Sequence, residues 1–218
     1  MWNGFIGGPH HDIMAESFER VARGELKRLI INMPPRHTKS EFASYLFPAW
    51  FLGQYPEKKV IQTAHTAELA VGFGRKVRNL IQSPDYQDVF QGIDLSTDSK
   101  AAGRWNTNKG GDYFAIGVGG AQAGQYNPEV FDKVYEWYTS GPRQRLQPGG
   151  AIIVVMTRWA KRDLTGQIIK SMSEREGADE WEVIQLPAIM PSGNPLWEAF
   201  WKLEELESLK AELPASKW

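Results

Sequence analysis

The feature that most constrains the fold is a short apolar segment that stops abruptly at two prolines. Residues 29–33 read Leu-Ile-Ile-Asn-Met, and Pro34 and Pro35 follow directly. Because proline has no backbone N–H to donate to a sheet, this pattern predicts a buried strand that enters a loop. After the loop, residues 40–51 predict a helix that Pro48 kinks or ends. The order strand, loop, helix is therefore set early in the chain.

Further apolar segments alternate with helical patterns along the chain. Strands are predicted at residues 59–64, 113–118, 151–156 and 181–186, and helices at residues 12–24, 66–81, 163–176 and 203–213, with a turn at 83–85. Because parallel strands need crossover connections, this alternation predicts an α/β fold with a mostly parallel sheet and helices on both faces. Residues 1–190 are predicted to form the main domain, and residues 191–218 a linker and a helical tail.

Composition limits the kinds of partner and compartment. The 25 Lys and Arg residues nearly balance 26 Asp and Glu residues, so no global charge draws the chain to nucleic acid, and any such contact must be local. The absence of cysteine excludes disulfides and thiolate metal sites. No apolar segment reaches the roughly 20 residues that a membrane span needs. We expect a soluble protein without a membrane partner.

Residues 33–40, Met-Pro-Pro-Arg-His-Thr-Lys-Ser, stand where the phosphate-loop pattern G-x-x-x-x-G-K-[ST] would stand. Met33 and Thr38 replace the two glycines, so the strict pattern fails and the interpretation depends on the strand before and the helix after. Since glycine tolerates positive φ most easily, Thr38 predicts a loop that avoids positive φ. A proline turn followed by a serine-capped helix, with solvated cations, is an equally good interpretation of this motif alone.

The chemistry of the loop nevertheless suits a nucleotide. Backbone N–H groups at a helix N-terminus favour phosphate oxygens, and Lys39 is placed to reach the β- and γ-phosphates. The Ser40 hydroxyl is a candidate ligand for Mg²⁺, and Arg36 adds a permanently charged donor that could sense the γ-phosphate.

Four ordered segments resemble the large subunit of tailed-phage terminases. Residues 29–44 are similar to the deviant Walker A segment of that family, whose loops often read Pro-Pro-Arg-His-x-Lys-Ser. Residues 10–13 are similar to the segment that contacts adenine. Residues 141–150 and 156–159 are similar to the coupling motif and its lead-in. The resemblance implies that Pro35, Arg36, His37, Thr38, Lys39, Ser40 and His11 bind nucleotide, that Lys39 and Arg36 are catalytic, and that Thr157, Arg158 and Trp159 couple hydrolysis to motion.

The resemblance implies a fold of the P-loop NTPase type (ASCE-like) and an ATPase that uses ATP and Mg²⁺ to move double-stranded DNA into an empty capsid. The implied partners are a portal protein, the small terminase subunit and other copies of the chain in a ring. The implied location is the host cytoplasm, with transient binding at the procapsid portal. Because the chain stops at Trp218, near where such a motor domain ends, no nuclease activity is expected.

One expected element is missing from the sequence. An ATPase of this class needs a strand that ends in Asp, often followed by Glu, to hold Mg²⁺ and orient water, and no such segment is present. In the family this strand precedes the region matching residues 127–129, whereas here Gly120 is followed directly by Ala121. Two explanations stay open. The natural polypeptide contains residues here that this sequence omits, which we favour because loss of a core strand is severely destabilising, or the deletion is real. A real deletion predicts weak nucleotide binding and negligible hydrolysis, as in a nucleotide- or DNA-binding remnant.

Other charged and aromatic residues allow two interpretations each. Arg75, Lys76 and Arg78 form either a DNA contact or a solvated helix face, and Arg143 and Arg145 are candidate trans-acting arginines. His10 and His11 flank adenine or are surface histidines. The aromatic residues Phe131, Tyr135, Trp137 and Tyr138 are predicted to belong to the core.

Overall fold

The computed structural model describes residues 4–119 and 128–213 of the 218-residue chain. In chain order its elements are α1 (Pro9–Ala22), β1 (Arg28–Asn32), α2 (Lys39–Glu41), a π-helical turn (Phe42–Leu46), α3 (Phe47–Gln54), β2 (Lys59–Ala64), α4 (Ala67–Ile81), α5 (Pro84–Val89), β3 (Leu95–Ala101), β4 (Arg104–Thr107), β5 (Asp112–Gly117), α6 (Pro128–Ser140), a 3₁₀ turn (Pro142–Arg145), β6 (Ile152–Met156), α7 (Leu164–Glu174), β7 (Glu182–Gln185) and α8 (Leu203–Glu212). The described residues divide into two compact units, and the first boundary lies between Lys39 and Ser40. We call residues 40–119 the inserted unit, and residues 4–39 with 128–213 the split unit.

The split unit contains a three-stranded parallel sheet in the order β6-β1-β7. Arg28 pairs with Ile152 and Leu29 with Glu182, so β1 lies between strands that come much later in the chain. The side chains of residues 29–31 are completely buried. Burial of each such side chain stabilises the fold by about 1.5–3 kcal/mol. The central position of β1 therefore follows from its uninterrupted apolar sequence.

The aromatic residues of α6 form part of the core of the split unit. Tyr138 packs with Ile30, Ile168 and Trp181, and further apolar side chains surround this cluster. Phe131 is also buried. The prediction that this aromatic group belongs to the core is confirmed.

The inserted unit contains a four-stranded mixed sheet in the order β2-β5-β4-β3. Strands β2 and β5 are parallel, whereas β4 pairs antiparallel with both of its neighbours. In its core, Trp105 stacks on Tyr113 with ring centroids 4.6 Å apart and nearly parallel planes. Thr66 caps α4 by accepting a hydrogen bond from the Leu69 N–H, as the sequence predicts.

The predicted α/β class is confirmed, and all five predicted strands are present within one or two residues. The single mostly parallel sheet is not observed, because the described strands form two sheets and the inserted unit adds an antiparallel pair. The sequence prediction missed β3 and β4, whose polar residues give no clear apolar alternation. The turn predicted at residues 83–85 is the start of α5, which Ser83 caps. Pro48 was predicted to kink or end the helix of residues 40–51, and the helix does not end there. It passes through the π-helical turn directly before α3 and continues to Gln54.

Each described sheet has two edge strands, which are β6 and β7 in the split unit and β2 and β3 in the inserted unit. In the split unit β6 pairs only with β1, and in the inserted unit β2 pairs only with β5. All five residues of β6 are only half buried, although they read Ile-Ile-Val-Val-Met. An apolar strand with an open edge normally pairs with another strand. The junction of Gly120 and Ala121, where a strand is expected from the sequence, lies outside the described residues.

The segment after residue 190 makes defined contacts. Ile189 and Pro195 form an isolated antiparallel bridge, and Leu196 and Trp197 are buried. The predicted domain boundary at residue 190 stays a prediction. Across residues 4–119 and 128–213, no helix combines the length and the apolar character needed to cross a bilayer.

Candidate functional site

The loop of residues 33–39 leaves the carboxyl end of the central strand of the split unit. Met33 continues β1 and donates its N–H to the Met156 carbonyl at 3.1 Å. The Thr157 hydroxyl donates to the Met33 carbonyl at 2.9 Å. Because both bonds reach the chain at the end of β6, the start of the loop is fixed to the predicted coupling segment.

Two residues of the loop have left-handed backbone conformations. Arg36 has a φ of 58° and Thr38 a φ of 59°. The sequence prediction that Thr38 makes the loop avoid positive φ was therefore wrong. Left-handed conformations are rare for residues with a Cβ and rarest for β-branched residues, and they concentrate at functional sites where the surroundings hold them. The loop keeps the backbone conformation that glycine favours but builds it with other residues.

Side chains of the loop itself satisfy its carbonyl oxygens. Lys39 Nζ donates to the Pro34 carbonyl at 3.0 Å, and His37 Nδ1 to the Pro35 carbonyl at 2.8 Å. Thr38 Oγ1 donates to the His37 carbonyl at 2.7 Å. With the carbonyls engaged in this way, the backbone N–H groups are the donors that the loop can offer to an anion, as in other anion-binding loops with left-handed residues.

Lys39 is the ionisable group most affected by the loop. Its side chain is largely enclosed, and burial lowers the pKa of the amine from 10.5 to about 8. Burial disfavours an ammonium ion unless an anion compensates it. Its ammonium donates to the Pro34 carbonyl, which is a neutral group. A phosphate beside Lys39 would raise its pKa, so the amine has an electrostatic reason to bind an anion.

Three other residues predicted to bind the nucleotide lie close to Lys39 in the sequence. Pro35 and Arg36 are exposed, and Ser40 is an exposed residue of α2 at the start of the inserted unit. Arg36 and Ser40 are thus open to solvent on either side of Thr38 and Lys39. Their contacts with phosphate and Mg²⁺ stay predictions.

His11 lies next to the loop, as the resemblance requires, but it is not a surface residue. It is 4% exposed, and its ring packs edge-on against Trp197 at 5.2 Å and beside His10 at 3.8 Å. The Gly8 N–H donates to its Nδ1 at 2.9 Å, and its Nε2 is 2.7 Å from Thr38 Oγ1. The surface interpretation of His10 and His11 is therefore wrong, whereas a contact with adenine stays a prediction.

Three histidines and two tryptophans enclose the back of the loop. His10, with no exposed surface, lies 5.9 Å from His37 and 5.1 Å from Trp197, and His37 stacks near Trp201. Burial lowers the pKa of His10 to about 4, with further lowering by His11 and His37, although the nearby His37 backbone opposes it. Burial also lowers the pKa values of His11 and His37. The cluster is neutral at pH 7.

Several polar atoms of this cluster have no hydrogen-bond partner among the described residues. They are both ring nitrogens of His10, Nε2 of His37 and Nε1 of Trp201. Buried polar atoms usually have a partner, often an ordered water. The sequence analysis missed Trp197 and Trp201. The signal that could have found them is the Trp-x-x-x-Trp spacing, which places two aromatic rings on one side of a helical turn.

The predicted coupling residues are organised by an acid that the sequence analysis treated only as a helix start. Asp163 is buried and caps α7 by accepting the Gly166 N–H at 3.0 Å. Its other oxygen accepts from Arg158 Nε at 2.9 Å and from the N–H groups of Trp159 and Ala160. All these donors belong to residues 158–166, so Asp163 stabilises its own turn. Arg158 and Trp159 are held in place by the same interaction.

Glycine is required at the start of α7. A Cβ on Gly166 would lie 1.9 Å from the Lys161 carbonyl oxygen, which is backbone and cannot move aside easily. The turn that carries Asp163 is therefore closely packed.

The basic residues predicted to contact DNA or a neighbouring subunit differ in their surroundings. Arg143 pairs with Asp179 at 2.8 Å, and Arg28 binds the same carboxylate, so Arg143 has a structural partner within the split unit. Lys76 pairs with Glu41 at 2.9 Å in the inserted unit. Arg145 and Arg75 are exposed. Their proposed roles with DNA or a neighbouring subunit stay predictions.

Acidic residues do not complete the site within the described part of the chain. None of the described parallel strands, β1, β2, β5, β6 and β7, ends in Asp or Glu. Among residues 4–119 and 128–213, no three His, Asp or Glu side chains are placed to hold a metal ion together. Ser40 stays the predicted Mg²⁺ ligand, and a single hydroxyl would not hold the ion alone.

Comparisons with known proteins add no identification. No family model matches the chain, and no curated protein is significantly similar to it.

Proposed function

We propose that this chain is a nucleotide-binding motor domain of the terminase type, in which residues 33–40 bind the phosphates of ATP. The observation that carries the proposal is the loop after β1, in which Arg36 and Thr38 adopt left-handed conformations directly before a desolvated Lys39. A chain tolerates such strain where a site needs it. A solvated turn with free cations, the alternative that the sequence left open, gives no reason for either feature.

The residues of the loop have separate roles in this proposal. The Lys39 ammonium offsets the charge of the β- and γ-phosphates, and the loop N–H groups orient their oxygens. Arg36 supplies a second, permanently charged donor that can follow the γ-phosphate. Ser40 would contribute a hydroxyl to Mg²⁺ bound with the nucleotide, and the ion would supply positive charge beside the phosphates.

Thr157 connects the loop to the coupling segment. Its hydrogen bond to the Met33 carbonyl links the loop to the end of β6, and Asp163 holds the next residues rigid. A change in the loop on loss of the γ-phosphate would therefore reach residues 157–163 directly. This connection supports a role of Thr157, Arg158 and Trp159 in coupling nucleotide state to movement.

A second candidate function is nucleotide binding without hydrolysis. It is favoured by the absence of an acidic residue at the end of any described parallel strand. The open edge of β6, with its half-buried apolar side chains, favours the opposite explanation, in which the natural polypeptide has a further strand. Only the first candidate function implies a larger assembly. Its partners would be double-stranded DNA, a portal protein, the small terminase subunit and other copies of the chain in a ring.

The first experiment is an intact-mass measurement of the protein from its natural source, followed by calorimetric titration with MgATP. A mass above the 24.7 kDa of this chain, with extra peptides between Gly120 and Ala121, supports the complete motor, and DNA-stimulated ATPase activity is then expected. A mass of 24.7 kDa with MgATP binding supports the binding-only candidate. If neither the 24.7 kDa chain nor a heavier natural polypeptide binds MgATP, the proposal is overturned.

The lowered pKa of Lys39 gives a second test. Because a bound phosphate raises the pKa of Lys39 above its value of about 8, MgATP binding at pH 8 should take up at most about half a proton, and affinity should fall as pH rises through this range. Titrations in buffers of different ionisation enthalpy measure the proton uptake. The Lys39→Arg variant, whose charge does not titrate here, should lose the uptake.

A further inference from the structure

We propose that His11 is a positioning residue that holds the phosphate loop in its left-handed conformation through a relay of hydrogen bonds ending at the His37 carbonyl. The relay runs from the Gly8 N–H to His11, from His11 to the Thr38 hydroxyl, and from that hydroxyl to the carbonyl. It gives His11 a role that differs from contact with adenine. The conformational part stands by itself, whereas its effect on ligand binding rests on the proposed function.

The direction of each hydrogen bond is fixed by chemistry. A backbone N–H can only donate, so the bond from Gly8 at 2.9 Å requires a lone pair on His11 Nδ1. In the neutral ring the proton is then on Nε2, which donates to Thr38 Oγ1 at 2.7 Å. The Thr38 hydroxyl has one proton, and it donates that proton to the His37 carbonyl at 2.7 Å. Every donor in the relay thus has one acceptor.

The surroundings preserve this tautomer. His11 is buried against Trp197 and His10, and burial lowers its pKa, so that the ring stays neutral. Gly8 approaches closely enough that a Cβ there would lie 2.6 Å from the Trp197 ring. A larger residue at position 8 would therefore disturb the packing around the first bond of the relay.

The relay acts at the residue where the backbone is most strained. Thr38 is β-branched and has a φ of 59°, a conformation that its side chain disfavours. Fixing the Thr38 hydroxyl at both ends restrains its side chain and, through the His37 carbonyl, the peptide before it. A conventional phosphate loop reaches this conformation with glycine and needs no such support.

Matched substitutions of His11 separate its two hydrogen bonds. The amide of Gln reaches about as far as Nε2 and can donate to Thr38, whereas the shorter amide of Asn stands near Nδ1 and can accept only from Gly8. His11→Gln therefore keeps the hydrogen bond to Thr38, and His11→Asn keeps the hydrogen bond from the Gly8 N–H. At Thr38, Ser keeps the hydroxyl and Val removes it with little change in shape.

The first readout needs no nucleotide. ¹⁵N NMR of the wild-type chain should show His11 as the neutral Nε2–H tautomer at pH 7. Amide hydrogen exchange of residues 36–39 should accelerate about tenfold in His11→Asn and Thr38→Val, because each loses a hydrogen bond worth about that factor. It should accelerate little in His11→Gln and Thr38→Ser. An Nδ1–H tautomer, or equal exchange in His11→Asn and His11→Gln, would overturn the relay.

The second readout is MgATP affinity, measured by calorimetric titration. We expect about a tenfold loss in His11→Asn and less than about a threefold loss in His11→Gln. In a Thr38→Gly background, where glycine reaches positive φ unaided, His11→Asn should change affinity less than about twofold. A full tenfold loss in that background would contradict the relay.

The control is Thr66→Ala, which removes a helix-capping hydroxyl in the inserted unit. It should lower Tm without changing the MgATP affinity. If the wild-type chain binds no MgATP, the proposed function fails, and the exchange and NMR measurements still decide whether the relay exists.

Discussion

Two neighbouring parallel strands of the split unit end in segments that use their charged residues differently. Residues 33–39 follow β1, and their lysine donates to a neutral carbonyl while burial holds its pKa near 8. Residues 157–163 follow β6, and their buried acid, Asp163, accepts four hydrogen bonds from its own turn. The first charge lacks an anionic partner in the loop, whereas the second is fully compensated.

This difference bears on the chemistry that each segment can perform. A desolvated ammonium gains free energy when an anion binds beside it. A carboxylate that already accepts four hydrogen bonds loses them if it turns to a metal ion or a water molecule. The described residues therefore supply the cationic half of the proposed nucleotide site, and the Asp163 carboxylate is used for structure. Four changes test this contrast, from the largest expected effect to the smallest.

Replacement of Asp163 by Ala should lower the free energy of unfolding most. It leaves the half-buried Arg158 guanidinium and three N–H groups without their acceptor, which costs about 3–4 kcal/mol. Urea denaturation measures the loss. Asp132→Ala is the control, because Asp132 pairs with Arg162 on the exposed surface, and it should cost less than about 0.5 kcal/mol. A small loss in Asp163→Ala would mean that this acid is not structural.

Acid should destabilise the split unit through its histidine cluster. His10 has a pKa of about 4 in the folded chain and about 6.5 when unfolded, so the unfolded state binds more protons between these values. The free energy of unfolding should therefore fall as pH drops from 6.5 to 4, by roughly 3 kcal/mol. His11 and His37 act in the same direction.

His10→Phe tests the source of this pH dependence. Phe keeps an aromatic ring but has no titrating nitrogen, and the nitrogens of His10 have no hydrogen-bond partner among the described residues. Denaturant unfolding between pH 4 and 7 should then show a much weaker dependence of the free energy of unfolding on pH. An unchanged slope would assign the pH dependence to other groups.

Lys39→Ala should weaken MgATP binding about 30- to 150-fold, since a hydrogen bond involving a charged group contributes about 2–3 kcal/mol. It should also raise stability slightly, because it removes a desolvated ammonium. Lys161→Ala removes the same charge from the segment after β6 and should change affinity less than about twofold. Equal effects of the two variants, measured by calorimetric titration, would show that only net charge matters.

The smallest expected effect concerns the hydrogen bond that joins the two segments. Thr157→Val should lower the free energy of unfolding by about 1 kcal/mol, whereas Thr157→Ser keeps the hydroxyl and should cost less. If Thr157 couples the segments, exchange of amides in residues 158–163 should respond to MgATP in wild type and not in Thr157→Val. The same response in both proteins would assign the coupling elsewhere.

Strands and helix starts around the candidate site could be predicted from the sequence where the signal was local. The apolar residues 29–33 before two prolines located β1 and the loop, and the capping residue Thr66 located the start of α4. The helical pattern that begins at Asp163 located α7. It failed where long-range packing decided the outcome. The left-handed φ of Thr38 depends on His11, far earlier in the chain, and the sequence alone favoured the opposite conformation.

The sequence by itself determined the α/β class, the strand-loop-helix order at residues 29–51 and the position of Lys39 at the start of a helix, because apolar runs, prolines and caps act over a few residues. Only the tertiary structure decided that β1 lies between β6 and β7, that Asp163 is fully hydrogen-bonded, and that histidines and tryptophans enclose the loop. Those features depend on which distant side chains are buried together. Burial sets pKa values and hydrogen-bond partners, and no local pattern in the sequence encodes it.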